Sequence, residues 1–276
     1  MLHIINLLCF MHQSFDCFPY KMPGIAKSGG AKGADAAWGA AAFAAGHLIT
    51  HYSFDEHKVH SSIRPSFVCR LSDQALKLHD DALAEVGKQL HRPWPPRNSF
   101  VKKLLQRDYY QVEGSKSLYA VGYTPMHAKD MPKRPLVGPA LAIMGGTAWA
   151  CQLFVNRFIR GLPADFEGEV PIPFYFYQQN FQRWIQLWVR KASPEEGRSE
   201  MLGLWGTKAP LHEWRVRWVS IGLPPYPSGV YTAIGSRDLM ECGRQAILSV
   251  YTQDPPSDAP ALPPIAPEEP FLSPEL

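Results

Sequence analysis

The chain has 276 residues, 46% of them hydrophobic and 19% charged, which suits one folded domain with appendages and excludes a chain that is disordered throughout. Its formal net charge of +3 gives no general electrostatic reason for tight binding to duplex nucleic acid, which needs clustered lysine and arginine side chains. The sequence has no run of about 18 apolar residues, the length that spans a bilayer, so no membrane-spanning helix is expected.

The five cysteines are scattered along the chain without a C-x-x-C pair. This spacing favours reduced thiols in an intracellular compartment over a disulfide framework or a cysteine-bound metal. The apolar opening of the chain, residues 1–18, has neither the basic start nor the small-residue cleavage site of a secretory signal. We therefore expect an intracellular, cytoplasmic protein, with an organelle address left open.

Predicted helices and strands alternate along the chain. In order, they are a helix over 34–45 that Gly46 ends, a strand over 47–52, a helix that begins after Ser72 and ends near His91, a strand over 117–122, a helix over 147–158, a strand over 172–177, and a strand and helix within 229–251. This order predicts an α/β fold, a Rossmann-like, mostly parallel sheet with helices on both faces.

The chain divides into five predicted segments. They are an irregular N-terminal extension (1–22), a Rossmann-like core (23–190), a connecting segment (191–228), a strand–helix element that completes the core (229–252) and a Pro-rich tail (253–276). The tail lacks the apolar periodicity of a helix or strand and is predicted to be extended, as a linker or a docking strap for a protein partner.

Two glycine-rich loops stand directly before predicted helices. The first is Ser28-Gly29-Gly30-Ala31-Lys32-Gly33-Ala34-Asp35, and the second is Met144-Gly145-Gly146-Thr147. Glycine lets the backbone approach a ligand, and the unpaired N–H groups at a helix start favour an anion. Both loops would lie at the carboxyl edge of a parallel sheet, where open α/β folds bind ligands. They are candidate phosphate cradles, although tight turns in which Ser28 or Asp35 only caps the helix are an alternative interpretation.

A third loop follows a β-branched strand near the end of the chain. It carries Gly235, Ser236 and Arg237. Arg237 would point toward the same edge of the sheet, where its guanidinium could hold a phosphate in a bidentate pair. The alternative interpretation of Arg237 is a surface salt bridge.

These motifs, taken in order, resemble a known family. SGGAKGAD with Trp38 after it, LLQRDYYQV (104–112), SLYAVG (117–122) and GGTAWACQLF (145–154) resemble an uncharacterised phage and microbial group of the SLOG superfamily. That superfamily also contains the LOG phosphoribohydrolases and the DNA-uptake protein DprA. The match covers residues 25–188, and it implies a Rossmann-like fold with a nucleotide-type ligand.

The order of the motifs departs from that group in one respect. A GIGSR motif normally opens the domain, whereas the similar AIGSRDLMECGRQAI of this chain, residues 233–247, follows the other motifs. The chain is either circularly permuted or carries the start of a truncated second copy. Permutation is favoured, because without this element the sheet would lack a central strand beside the one that ends at Ser28.

The second loop also departs from the hydrolases of the superfamily. In the LOG enzymes a catalytic Glu stands three residues after the Thr of this loop, but Ala150 occupies that position here. Asp35 is the nearest other carboxylate and a weak candidate for a catalytic role. Whether the protein is an enzyme therefore stays open at this stage.

The function predicted from these observations is the binding of a nucleotide or nucleotide-derived ligand. Asp35 would bond a ribose hydroxyl and Arg237 would neutralise charge. The phosphates would contact the backbone and hydroxyl groups of Ser28, Gly29, Gly30, Gly33, Gly145, Gly146 and Thr147. Three alternatives are kept: a non-catalytic structural subunit of a larger assembly, a nucleotide N-glycosidase, and a single-stranded DNA binder. A homo-oligomer is kept as a separate candidate for a partner. No cofactor beyond a nucleotide ligand is predicted.

Three further patterns receive structural interpretations. His47 and His51 share a strand face but lie roughly 13 Å apart, too far to hold one ion. His57 and His60 could converge in a loop, but no cysteine or carboxylate stands at ligand spacing, so no metal site is predicted. The aromatic run over 174–177 is expected to be a buried strand rather than a platform for stacking bases. The basic segment VKKLLQR, residues 101–107, is expected to present Lys102, Lys103 and Arg107 to solvent.

Overall fold

A computed structural model of the chain describes residues 24–126, 140–192 and 213–253. Within these ranges the strands are β1 (Ile25–Ser28), β2 (Leu48–Ser53), β3 (Val68–Arg70), β4 (Ser117–Gly122), β5 (Glu169–Gln178), β6 (Arg183–Lys191), β7 (Trp214–Ile221) and β8 (Val230–Gly235). The helices are α1 (Ala34–Ala44), α2 (Asp73–Lys77), α3 (Asp80–Gln89), α4 (Ser99–Val112), α5 (Thr147–Arg160) and α6 (Glu241–Thr252). The predicted N-terminal extension, the tail from residue 254 onward and residues 193–212 of the connecting segment lie outside the described residues.

The eight strands of the described residues form one mixed sheet in the order β3-β2-β1-β8-β4-β5-β6-β7. The six strands from β3 to β5 are parallel, whereas β6 and β7 continue the sheet antiparallel. The prediction of an α/β, mostly parallel, Rossmann-like sheet is therefore confirmed. The antiparallel extension and the short edge strand β3 were not predicted.

Helices cover both faces of the sheet. On β4, Leu118 and Ala120 face a core built with α3, α4 and α5, and Tyr119 and Val121 face a second core built with α1 and α6. This alternation is the two-residue period of a strand that is buried on both faces. The expected burial of the aromatic run is also confirmed, because residues 174–177 all lie in one or the other core.

Strand β8 occupies the middle of the sheet. Its Thr232 pairs with Lys27 of β1 and with Leu118 of β4, parallel to both. The chain leaves β1 through α1 toward β2 on one side, and it leaves β4 through α5 toward β5 on the other side. The strand order therefore reverses at β8. That this order arose by permutation stays a prediction, as does the division into five segments.

The predicted helix from Ser72 to His91 is wrong as a single helix. Ser72 caps α2 as expected, since its Oγ accepts a hydrogen bond from the amide of Ala75 at 3.1 Å. The chain then leaves the helical conformation at His79 (φ −120°, ψ 24°) and begins α3 at the next residue. The imidazole of His79 stacks on Tyr109 with ring centroids 3.6 Å apart, a tertiary contact that favours two helices over one.

Within residues 24–126, 140–192 and 213–253, none of the helices has the length and apolar character needed to cross a membrane.

Candidate functional site

The first glycine loop connects β1 to α1 in a conformation that needs glycine at two positions. Gly30 has φ +66° and Gly33 has φ +96°, both in the left-handed region that other residues rarely adopt. A Cβ on Gly33 would lie 2.3 Å from the carbonyl oxygen of Arg237. The first loop therefore packs directly against the third loop, which follows β8.

Asp35 ties these two loops together. One carboxylate oxygen, Oδ1, accepts a hydrogen bond from the amide of Gly235 at 3.2 Å, and Oδ2 accepts one from the amide of Ala31 at 3.4 Å. The side chain is buried, and burial raises the pKa of Asp35, against the opposing effect of nearby Arg107. Both carboxylate oxygens of Asp35 therefore already accept a hydrogen bond within the protein. The predicted contact with a ribose hydroxyl would have to use their remaining lone pairs.

Arg107 is not exposed, and the expectation that it faces solvent is wrong. Its residue is 6% exposed, and its guanidinium lies directly behind the first glycine loop. Nη1 donates to the carbonyl oxygen of Gly29 at 3.0 Å, and Nη2 donates to Oδ1 of Asp108 at 3.1 Å. Lys102 and Lys103 of the same segment are half-buried and form ion pairs with carboxylates of neighbouring elements.

His57 completes the contacts of this guanidinium. Its Nε2 lies 3.3 Å from Nη1 of Arg107, and its Nδ1 lies 3.1 Å from Oγ of Ser53. Because an arginine can only donate, Nε2 accepts and the imidazole proton is on Nδ1. Burial and the nearby Arg107 lower the pKa of His57 to about 4, so the ring is neutral at pH 7. Asp35, His57, Arg107 and Asp108 are called the Arg107 cluster below.

The inner half of the first loop is closed to the surface. Ser28, Gly29 and Gly30 are buried, and the amide of His60 donates to the carbonyl oxygen of Gly30 at 2.9 Å. The hydroxyl of Ser28 makes a long hydrogen bond, 3.4 Å, to the backbone oxygen of Asp35. The outer half, residues 31–33, reaches the surface, so a ligand that meets this loop in the observed conformation meets those residues.

The second glycine loop is open. Gly145 and Gly146 are exposed, Thr147 is half-buried, and a Cβ on either glycine would meet no atom within 4 Å. Gly146 stands at the start of α5 and has no side chain to cap it, and its backbone oxygen accepts a hydrogen bond from the amide of Trp149 at 2.9 Å. Arg92 holds the loop from the other side, where its guanidinium donates to the carbonyl oxygens of Gly145 at 2.6 Å and Ile143 at 3.0 Å.

Tyr123 links the second loop to the third. Its backbone oxygen accepts from the amide of Met144 at 3.0 Å, and its hydroxyl donates to the backbone oxygen of Asp238 at 3.0 Å. Gln179, at the end of β5, also donates to that oxygen of Asp238 at 3.0 Å. The ends of β4, β5 and β8 are thereby held in one surface beside the amino end of α5.

Arg237 is exposed at this surface. Among the described residues, no hydrogen bond or ion pair engages its guanidinium, and its charge helps to lower the pKa of His57 and opposes the rise in the pKa of Asp35. Arg237 therefore lies on the side of the first loop. The structure joins the first and third loops by direct contacts and connects the second through Tyr123.

Sequence reasoning missed the residues that support these loops from behind. They are His57, Arg92, Arg107, Asp108, Tyr123 and Gln179. The signal that points to Arg107 and Asp108 is their place within the motif LLQRDYYQV. In the described parts of the chain, no group of three or more His, Cys, Asp or Glu side chains is placed to hold a metal ion.

The chain matches no protein-family model, no curated protein and no solved structure.

Proposed function

We propose that this protein binds a nucleotide or nucleotide-derived ligand outside the carboxyl ends of β1, β8 and β4. The observation that carries the proposal is the reversal of the strand order at β8, with α1 and α5 starting on opposite faces of the sheet. In open α/β sheets, ligands bind at such a reversal. Membership of the SLOG superfamily is part of the proposal, and the order of the sequence motifs is its support.

The phosphate groups would lie at the amino end of α5. The exposed backbone of Gly145 and Gly146 leaves room for a close approach, and the positive end of the helix dipole favours negative charge there. Thr147 would add a hydroxyl donor. Arg237 would supply a cation from the third loop, and Gly33 would meet the ligand from the outer half of the first loop.

The second loop supports binding of the ligand without hydrolysis. Ala150, which stands where the LOG enzymes carry their catalytic Glu, is 1% exposed and packs in the core beneath α5. No carboxylate is therefore supplied from that position. Asp35 is engaged by two backbone amides, and no side chain among the described residues forms a hydrogen bond with its carboxylate.

The experiment is a thermal-shift screen of the full chain against mono-, di- and cyclic nucleotides. A ligand that binds the folded state raises the Tm by mass action. We expect a selective shift in the wild type and in Gly222→Asp, and its loss in Gly146→Asp, because the new carboxylate would repel the phosphates. Gly222 is a matched control: it is exposed, and a Cβ there also meets no atom within 4 Å.

Two outcomes would contradict the proposal. A folded wild type that shifts with no nucleotide would favour the structural-subunit alternative. A shift that Gly146→Asp retains would place the ligand away from α5.

A further inference from the structure

Arg107 spans the gap between α4 and the first glycine loop. One arm of its guanidinium donates to the carbonyl oxygen of Gly29, and the other arm donates to Asp108 on its own helix. The guanidinium is planar, so the two hydrogen bonds fix its orientation. The loop backbone is thereby held at a set distance from a helix that lies on the opposite face of the sheet from α1.

The loop has the residue that this contact requires. A Cβ on Gly29 would stand 2.5 Å from Nη2 of Arg107 and 2.6 Å from Oδ2 of Asp35. Only glycine lets the backbone lie against the guanidinium and the carboxylate at once. Gly29 therefore serves the packing of the Arg107 cluster rather than a direct approach to a ligand.

The arrangement is poorly suited to stability alone. Among the residues that the structure describes, Nε of Arg107 is buried without a hydrogen-bond partner, and the same holds for Nδ1 of the adjacent His51. A buried charge with an unpartnered N–H is costly, and well-packed apolar residues often replace buried ion pairs without loss of stability. The contact between Arg107 and the backbone of the first glycine loop explains this buried charge better than a contribution to stability does.

We propose that Arg107 is a positioning residue for the first glycine loop: through the Gly29 carbonyl it sets the conformation in which residues 31–33 meet a ligand. The effect on ligand affinity rests on the function proposed above, whereas the effect on the loop itself does not. The hydrogen bond to Asp108 fixes the orientation of the guanidinium. Asp35 connects the first loop to the third through its hydrogen bonds with the amides of Ala31 and Gly235.

The test compares Arg107→Met with Arg157→Met in the full chain. Arg157 is the control, because its guanidinium also donates to the backbone, to the carbonyl oxygens of Val112 and Ser115, but near the amino end of β4 rather than at the glycine loops. Amide hydrogen exchange is measured on peptides that cover residues 28–33, together with the urea midpoint of each variant. Binding of ADP, used as the probe, is measured by calorimetry.

We expect exchange over residues 28–33 to rise at least tenfold in Arg107→Met and to stay at the wild-type rate in Arg157→Met, even where both variants lose stability. If the wild type binds ADP, affinity should fall at least tenfold in Arg107→Met only. Arg107→Lys keeps a donor for the Gly29 carbonyl but loses the planar guanidinium that binds Gly29 and Asp108 together. We therefore expect its exchange rate over residues 28–33 to lie between those of the wild type and Arg107→Met.

Wild-type exchange of the loop in Arg107→Met would overturn the inference. If Arg107→Met does not fold, Arg107→Lys decides: faster exchange confined to residues 28–33 supports the inference, and unchanged exchange overturns it. A wild type that binds no nucleotide, with a loop that still loosens in Arg107→Met, would support the positioning role and contradict the proposed function instead.

Discussion

Gly29 shows how closely the buried charges lie against the first loop. We predict that Gly29→Ala lowers the free energy of unfolding by about 1–3 kcal/mol, because the new Cβ would overlap the guanidinium of Arg107 and the carboxylate of Asp35. Urea unfolding measures the change. Gly222→Ala is the control, since its Cβ enters open space and should change the free energy by less than about 0.5 kcal/mol. Equal free energies of unfolding for the two variants would contradict this prediction and show that the loop can shift to accommodate a Cβ at Gly29.

At the residue scale, the sequence located the glycine loops but not their surroundings. The need for glycine at Gly30 and Gly33 follows from local backbone geometry, which a glycine-rich motif before a helix already suggests. The burial of Arg107 depends on which face of α4 packs inward. Because arginines are mostly exposed, a basic segment favours the solvated interpretation, and only the tertiary structure shows that this one packs against a carbonyl.

Helix α4 depends on a cap at its start. Oδ1 of Asn98 accepts a hydrogen bond from the amide of Val101 at 3.1 Å. We predict that Asn98→Ala lowers the free energy of unfolding by about 0.5–2 kcal/mol, through the loss of this bond. Asn98→Asp keeps an acceptor at the same position and should retain most of the stability. A loss in Asn98→Asp as large as that in Asn98→Ala would rule out the cap as the cause.

At the element scale, hydrophobic periodicity succeeded where a buried face is apolar. It predicted β4 to the residue, and α5 to within two residues of its end. It missed α4, because the buried residues of that helix include Gln106, Arg107, Asp108 and Gln111. A helix that buries polar side chains toward a site lacks the apolar stripe on which the prediction depends.

At the scale of the whole molecule, the buried histidines make stability depend on pH. Burial lowers the pKa of His51 and of His57 to about 4, so between pH 4 and 6.5 the unfolded chain binds more protons at these sites than the folded protein. The free energy of unfolding therefore rises with pH in this window, on the order of 3 kcal/mol for each histidine.

Asp108 acts in the opposite sense. Burial raises its pKa to about 6, so its contribution to stability falls as the pH rises from about 4 to 6, and buried Asp35 has the same sign. We predict a net rise in stability from pH 4.5 to 6.5, with a steeper rise in Asp108→Asn. Urea midpoints at three pH values test this. A wild type that is less stable at pH 6.5 than at pH 4.5 would contradict it.

The central place of β8 also governs the order in which the fold can be completed. The ribosome makes β8 after the seven other strands of the described sheet. During synthesis, the strand edges of β1 and β4 that later pair with β8 therefore have no partner. Open strand edges recruit other strands, and pairings between distant parts of a chain form slowly. The pairings of β1 and β4 with β8 can therefore form only after residue 235 has been made, which sets the order in which this sheet is completed.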